Sequence, residues 1–110
     1  MVSLLRRRFA DVRRAADAAE AFCLIEEPDF ASTLGLVIAG QHRPGFDGAD
    51  FVAELRARLP LTPILVLGTE DESAAEYAGL RVVFAPTPLK AERVLALAEE
   101  MLRHDHDAAA

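Results

Sequence analysis

Cysteine and long apolar runs are scarce or missing in this sequence of 110 residues, and each shortage excludes a class of protein. The single cysteine, Cys23, excludes an intramolecular disulfide framework and fits a reducing compartment. No apolar run approaches the roughly 18 residues that a membrane-spanning helix needs. The opening letters MVSLLRRRF place apolar residues before arginines, which is the reverse of a secretory signal. We therefore expect a cytoplasmic protein with no membrane partner.

Positive charge is also in short supply, with 12 lysines and arginines against 18 aspartates and glutamates and a net charge of −6. Because affinity for nucleic acids depends on cations that neutralise phosphates, we expect no nucleic-acid partner. The positive charge that exists is concentrated, since residues 1–14 hold five arginines and one aspartate, five charges less one, or +4. This cluster is either a solvated helix face or a docking surface for an acidic partner.

Three short apolar runs are present instead of a long one, and a hydrophobic content of 52% is enough for one globular domain. The runs LGLVIA, ILVL and RVVF, residues 34–39, 64–67 and 81–84, are typical of parallel strands that are covered on both faces. Helical patterns alternate with them in the segments ADFVAELRARL, ESAAEYAG and KAERVLALAEEML. Alternating strands and helices predict an α/β fold with a three-layer open parallel sheet.

The N-terminal third allows two interpretations. Residues 9–26 can form a single amphipathic helix that buries Phe22 and Cys23, and helix propensity favours this version. Alternatively, VRRAA forms a strand and a helix follows over residues 18–25, with Asp17 as its N-cap.

The C-terminal end lacks apolar periodicity, so we predict a domain over residues 1–103 and a disordered tail or linker over residues 104–110. His104 and His106 lie in this tail without a third ligand, and we therefore predict no metal site there.

The motifs LGLVIAGQHRPGFDG, FVAELRARLPLTPILVLG and VVFAPTPLKAERVLALAEEML follow one another in this order. Together they resemble the receiver domain of two-component response regulators over residues 34–103, and VRRAADAAEAFCLIEEPDF adds a plausible match to a strand and a helix. The resemblance implies a flavodoxin-like fold with a five-stranded parallel sheet and a site at the carboxyl ends of its strands. It also favours the split version of residues 9–26.

The resemblance further implies an incomplete N-terminal strand–helix unit, because only eleven residues precede VRRAA. In one arrangement, VSLL is a remnant of the central first strand, residues 9–26 form one helix, and the edge strand is lost instead. In the other arrangement, the first strand is missing and is supplied by another chain or by sequence outside this one.

Receiver chemistry transfers a phosphoryl group from a phosphohistidine to an aspartate, with help from a magnesium-binding acidic pair, a hydroxyl and a lysine. No adjacent acidic pair occupies the corresponding N-terminal position here. The position of the acceptor aspartate falls on Gly40, and the position of the hydroxyl falls on Gly68, with Thr69 one residue later. The position of the switch aromatic falls on Phe84, and the Lys-Pro pair is replaced by Thr87 and Pro88. The resemblance therefore implies a degenerate pseudo-receiver that is not an enzyme and has no catalytic residue, no metal and no cofactor.

A pseudo-receiver is expected to act by protein–protein interaction with a histidine kinase, with another receiver domain or with a second copy of itself. The usual docking face of the family carries over to Tyr77, Arg81, Val83, Lys90, Arg93 and Val94. The alternative hypothesis is a sensor of nucleotides or cyclic dinucleotides, which would bind in a pocket emptied at Gly40, Gly68 and Thr87.

Overall fold

The structure is a computed structural model, and it describes residues 5–7, 9, 12–15, 17–40, 48–68, 74–86 and 89–109. After a helical turn at residues 5–7, the elements are α1 (Ala18–Ile25), α2 (Pro28–Thr33), β1 (Val37–Gly40), α3 (Gly48–Arg58), β2 (Ile64–Gly68), a 3₁₀ helix (Ala74–Tyr77), β3 (Val83–Pro86) and α4 (Ala91–Ala109). The strands form one parallel sheet in the order β1-β2-β3. The predicted parallel α/β architecture is confirmed.

The central strand β2 organises the core, because all five of its residues are buried. Alternate side chains of a strand point to opposite faces of the sheet. Ile64 and Val66 accordingly join a cluster with Leu55 of α3, whereas Leu65 joins a second cluster with Val94 of α4. These two apolar clusters make the three layers of helix, sheet and helix.

In the N-terminal third, the helix covers residues 18–25, as the second interpretation predicted. The prediction of a single helix over residues 9–26 is wrong. Residues 12–15 are not helical, and the carboxylate of Asp17 accepts a hydrogen bond of 2.8 Å from the backbone N–H of Glu20. The backbone of Asp17 is extended, with φ −150° and ψ 177°. An aspartate cap satisfies an otherwise unpaired N–H, which explains why α1 begins here although the residues before it favour helix.

Cys23 is exposed, not buried in the core as predicted.

Several element boundaries differ from the sequence-based expectations. The first and third strands begin at Val37 and Val83, two or three residues later than predicted. Helix α2 was not predicted, although Pro28 occupies its first turn beside Asp29, a typical start signal. Helix α4 continues to Ala109, so its backbone extends through most of the predicted tail. The domain boundary at residue 103 stays a prediction.

One arginine ties together the two loops that enter β2 and β3. The guanidinium of Arg56 donates hydrogen bonds to the carbonyl oxygens of Leu59, Thr62, Leu80 and Arg81, at 2.8, 2.8, 2.9 and 3.0 Å. Burial, and after it the nearby charge of Arg81, lowers the pKa of Arg56 from its ordinary value. The planar guanidinium can satisfy four carbonyls at once because its N–H groups point in fixed, divergent directions.

Candidate functional site

The carboxyl ends of the three strands meet at one edge of the sheet, where the sequence places the degenerate site. Gly40 is the last residue of β1 and is in register with Leu67, and Gly68 is in register with Pro86. The structure therefore brings Gly40 and Gly68 to neighbouring strand ends, and Phe84 lies on the adjacent strand in register with Val66. Thr69, Thr87 and Pro88 lie outside the described residues.

The end of β1 offers no reactive group, because Gly40 has no side chain. In the receiver resemblance this is the position of the phosphoryl-accepting aspartate. His42 and Asp47 follow in the sequence and also lie outside the described residues. Within the described part of the chain, no group of three or more histidines, cysteines, aspartates or glutamates is placed to hold a metal ion.

The space above Gly68 is filled by an aromatic ring. A Cβ atom added to Gly68 would overlap the side chain of Phe84, so the ring occupies the volume that a larger residue would need. The ring also packs against Tyr77, with 5.5 Å between the ring centroids and an interplanar angle of 32°. The prediction of an emptied pocket is therefore wrong at Gly68, because the ring of Phe84 fills the space beside this glycine.

The predicted docking face divides into buried and accessible residues. Tyr77 is only 3% exposed and Val94 is completely buried, so neither presents its side chain to a partner. Tyr77 is buried because it packs on Phe84, and Val94 because it faces Leu65 across the interface between α4 and the sheet.

The four other residues of the predicted face are accessible: Arg81, Val83, Lys90 and Arg93. Val83 is 40% exposed, one of two large apolar residues so described, and it lies on the edge strand β3. The guanidinium of Arg81 donates to the carbonyl oxygen of Pro60 at 3.1 Å, which holds it beside that strand. The accessible part of the face thus combines an apolar edge with positive charge.

A cavity that the sequence analysis did not place lies at the other edge of the sheet. It has a volume of about 260 Å³ and is bounded by β1, α1, α3 and residues before α1. Of the described residues that line it, Gly40 alone was predicted as a site residue, at the end of β1.

No protein-family model matches the sequence, and no curated protein matches it. Solved structures do match in fold. The receiver domain of NtrX from Brucella abortus is 22% identical with a TM-score of 0.73, and the match covers 93% of this chain and 86% of that one. The chemotaxis protein CheY4 from Vibrio cholerae is 24% identical with a TM-score of 0.69, over 88% and 82% of the two chains. The receiver domain of the hybrid histidine kinase CckA is 29% identical with a TM-score of 0.66, over 92% and 84%.

These similarities establish that the chain has the fold of a receiver domain of two-component systems. Other matched proteins are much longer: the chain spans 44% of a two-component response regulator/GGDEF domain protein and 24% of a longer NtrX chain. Among the described residues, no helix is long and apolar enough to cross a membrane.

Proposed function

We propose that this chain is a non-phosphorylatable receiver-like module of two-component signalling, which acts by protein–protein interaction and is not an enzyme. The observation that carries the proposal is the glycine at the end of β1, Gly40, where a receiver needs a carboxylate nucleophile. A phosphoryl group can be accepted only by a side chain with a nucleophilic atom, and glycine has none.

The arrangement at Gly68 supports the same proposal. Receivers stabilise the transferred phosphoryl group with a hydroxyl and a cation, since charge stabilisation supplies most of this catalysis. Here the hydroxyl position is a glycine covered by the ring of Phe84. The same cover argues against the sensor of nucleotides, because the volume that a ligand would enter above Gly68 holds an aromatic ring.

The proposed partner is a histidine kinase or another receiver domain, and its proposed contact is the accessible part of the docking face. Val83 and Arg81 lie on and before β3, Lys90 and Arg93 lie at the start of α4, and all four are exposed, so the face offers one apolar side chain and three cations. Apolar contact gives such an interface its affinity, and the positive charge favours a partner with carboxylates at its rim.

Treatment with acetyl phosphate and Mg²⁺ is expected to leave the intact mass of the protein unchanged, because Gly40 cannot accept the phosphoryl group. Beryllofluoride with Mg²⁺ is likewise expected to leave the amide NMR signals of Gly40 and Gly68 in place. A receiver domain with an intact acceptor aspartate, treated in parallel, serves as the positive control. A covalent phosphoryl adduct on this chain would contradict the proposal.

Reversing one charge on the docking face is expected to weaken binding to the partner. Purified histidine kinases and receiver domains from the source organism would be screened by biolayer interferometry, and Arg93→Glu should lower the affinity of any binder by about tenfold. Arg58→Glu is the matched control, because Arg58 is exposed on α3, which packs on the opposite face of the sheet from α4. If no kinase or receiver binds, or if both variants weaken binding equally, the proposed interaction is wrong.

A further inference from the structure

Strand β1 has an outer edge with no partner strand among the described residues, where it pairs with β2 alone. The backbone N–H of Val37 donates to the carbonyl oxygen of Pro63 at 3.0 Å, which directs Val37 toward β2. Main-chain groups of successive strand residues point in opposite directions within the plane of the sheet. Those of Ile38 and Gly40 therefore point away from β2, toward the outer edge.

The cavity of about 260 Å³ lies directly along this edge. Five consecutive residues, 36–40, line the cavity. Successive side chains of a strand point to opposite faces of the sheet, so a cavity on one face would contact only every second residue. A cavity that contacts all five lies along the edge of the strand. The cavity is therefore a continuation of the sheet in its own plane.

The opposite wall is formed by residues that precede α1. Arg13, Ala15 and Asp17 line the cavity there. Residues 12–15 are not helical, and Asp17 has extended dihedral angles. The cavity thus lies between the edge strand β1 and a segment that is not helical over residues 12–15 and is extended at Asp17.

The base of the cavity is apolar and is supplied by two helices. Ala21 and Leu24 of α1 and Phe51 and Leu55 of α3 contribute to it. Among the described lining residues, all except Arg13 and Asp17 are apolar, so an occupant gains by burying apolar side chains against this base as well as by pairing with β1. We name this cavity, bounded by residues 36–40, by Arg13, Ala15 and Asp17 and by α1 and α3, the strand slot.

The charge beside the strand slot indicates the chemistry of its occupant. Arg13 lines the slot together with the carboxylate of Asp17, and Arg14, which follows Arg13, is exposed. Residues 1–14 carry a net charge of +4 in a chain whose total is −6. An occupant with carboxylates outside its apolar stretch is attracted to this segment, whereas a basic one is repelled.

We infer that the strand slot binds an extended segment of another polypeptide, with about five apolar residues flanked by carboxylates, which adds a strand to the sheet beside β1. Such strand addition obtains its affinity from main-chain hydrogen bonds and its specificity from alternate side chains. The site lies at the opposite edge of the sheet from the docking face that contains Val83, so it is independent of the proposed function.

The test uses a set of synthetic peptides with Val, Ile, Leu or Ala at five central positions and Asp-Glu at both ends. Binding is measured by calorimetry, and hydrogen exchange identifies the site. At least one peptide is expected to bind with micromolar affinity and to slow the exchange of the Ile38 and Gly40 amides. The same peptide methylated on alternate backbone nitrogens, or flanked by Lys-Lys, should bind at least tenfold more weakly.

Two variants of the protein locate the site independently. Ala21→Glu places a charge in the slot and is expected to weaken peptide binding by at least tenfold. Ala19→Glu is the matched control, because Ala19 is exposed on the same helix and does not line the slot. The methylated peptide keeps the test decisive even if Ala21→Glu does not fold, which circular dichroism would reveal.

Four results would overturn the inference. No peptide of the set binds, or the methylated peptide binds as well as its parent. Alternatively, the Ile38 and Gly40 amides exchange slowly in the free protein at every concentration, which means that the chain covers its own edge. If their exchange slows only as protein concentration rises, the occupant is a second copy of this chain.

Discussion

Replacing Gly68 with threonine is expected to destabilise the domain by about 2 kcal/mol, because the new side chain and the ring of Phe84 cannot share one volume. The ring would have to leave its contact with Tyr77 or the strand end would have to shift. Urea denaturation followed by circular dichroism gives the free energy of unfolding. A variant as stable as the parent would show that the ring does not occupy this space.

A double variant provides the control for this prediction. Phe84→Ala alone should also destabilise the domain, by up to about 3 kcal/mol, because it leaves a space beside Tyr77. In Gly68→Thr with Phe84→Ala, the threonine enters the space that the ring vacates. The double variant is therefore expected to be more stable than the sum of the two losses by about 1 kcal/mol or more. Strict additivity would contradict the steric explanation.

Removing the side chain of Arg56 is expected to cost about 3 kcal/mol of stability. Arg56→Ala abolishes hydrogen bonds to four carbonyl oxygens in the loops before β2 and β3, and bonds from a charged donor are stronger than neutral ones. Arg56→Lys should cost about half as much, since an ammonium group keeps the charge but cannot reach four divergent acceptors. Thermal and urea denaturation would measure both changes.

Arg58 is the matched control, because it lies on the same helix and also makes several contacts. It pairs with Glu54 and Glu26, each at 3.2 Å, and its guanidinium lies 4.6 Å from the centroid of the Phe22 ring. These groups are substantially exposed, so Arg58→Ala is expected to cost less than about 1 kcal/mol. Equal losses for the two arginines would mean that the carbonyl network of Arg56 is not what stabilises the loops.

The sequence was sufficient to predict the elements whose signals are strong and local. The apolar run ending at Leu67 was predicted as a buried strand, and the structure buries every residue of β2. The start of α1 was predicted only as one of two alternatives, because the alanines and arginines before Asp17 favour helix. The outcome depended on a single side-chain hydrogen bond, from the Glu20 N–H to Asp17.

Contacts between distant residues could not be predicted in the same way. Gly68 and Phe84 are 16 residues apart, and neither neighbourhood indicates that one fills the space of the other. Tyr77 and Val94 were assigned to an exposed face by resemblance, but their burial depends on how the 3₁₀ helix and α4 pack on the sheet. The strand slot could not be located either, since two of its walls, Arg13 to Asp17 and residues 36–40, are at least 19 residues apart in the sequence.

The exposed thiol of Cys23 gives this protein a built-in position for a spectroscopic label. It is the only cysteine of the chain, so a maleimide dye would attach at one place without any substitution. The flanking residues Ala21 and Leu24 line the cavity, whereas Cys23 faces outward from the same helix turn. Fluorescence of the labelled native chain can therefore report events at this edge of the sheet in real time.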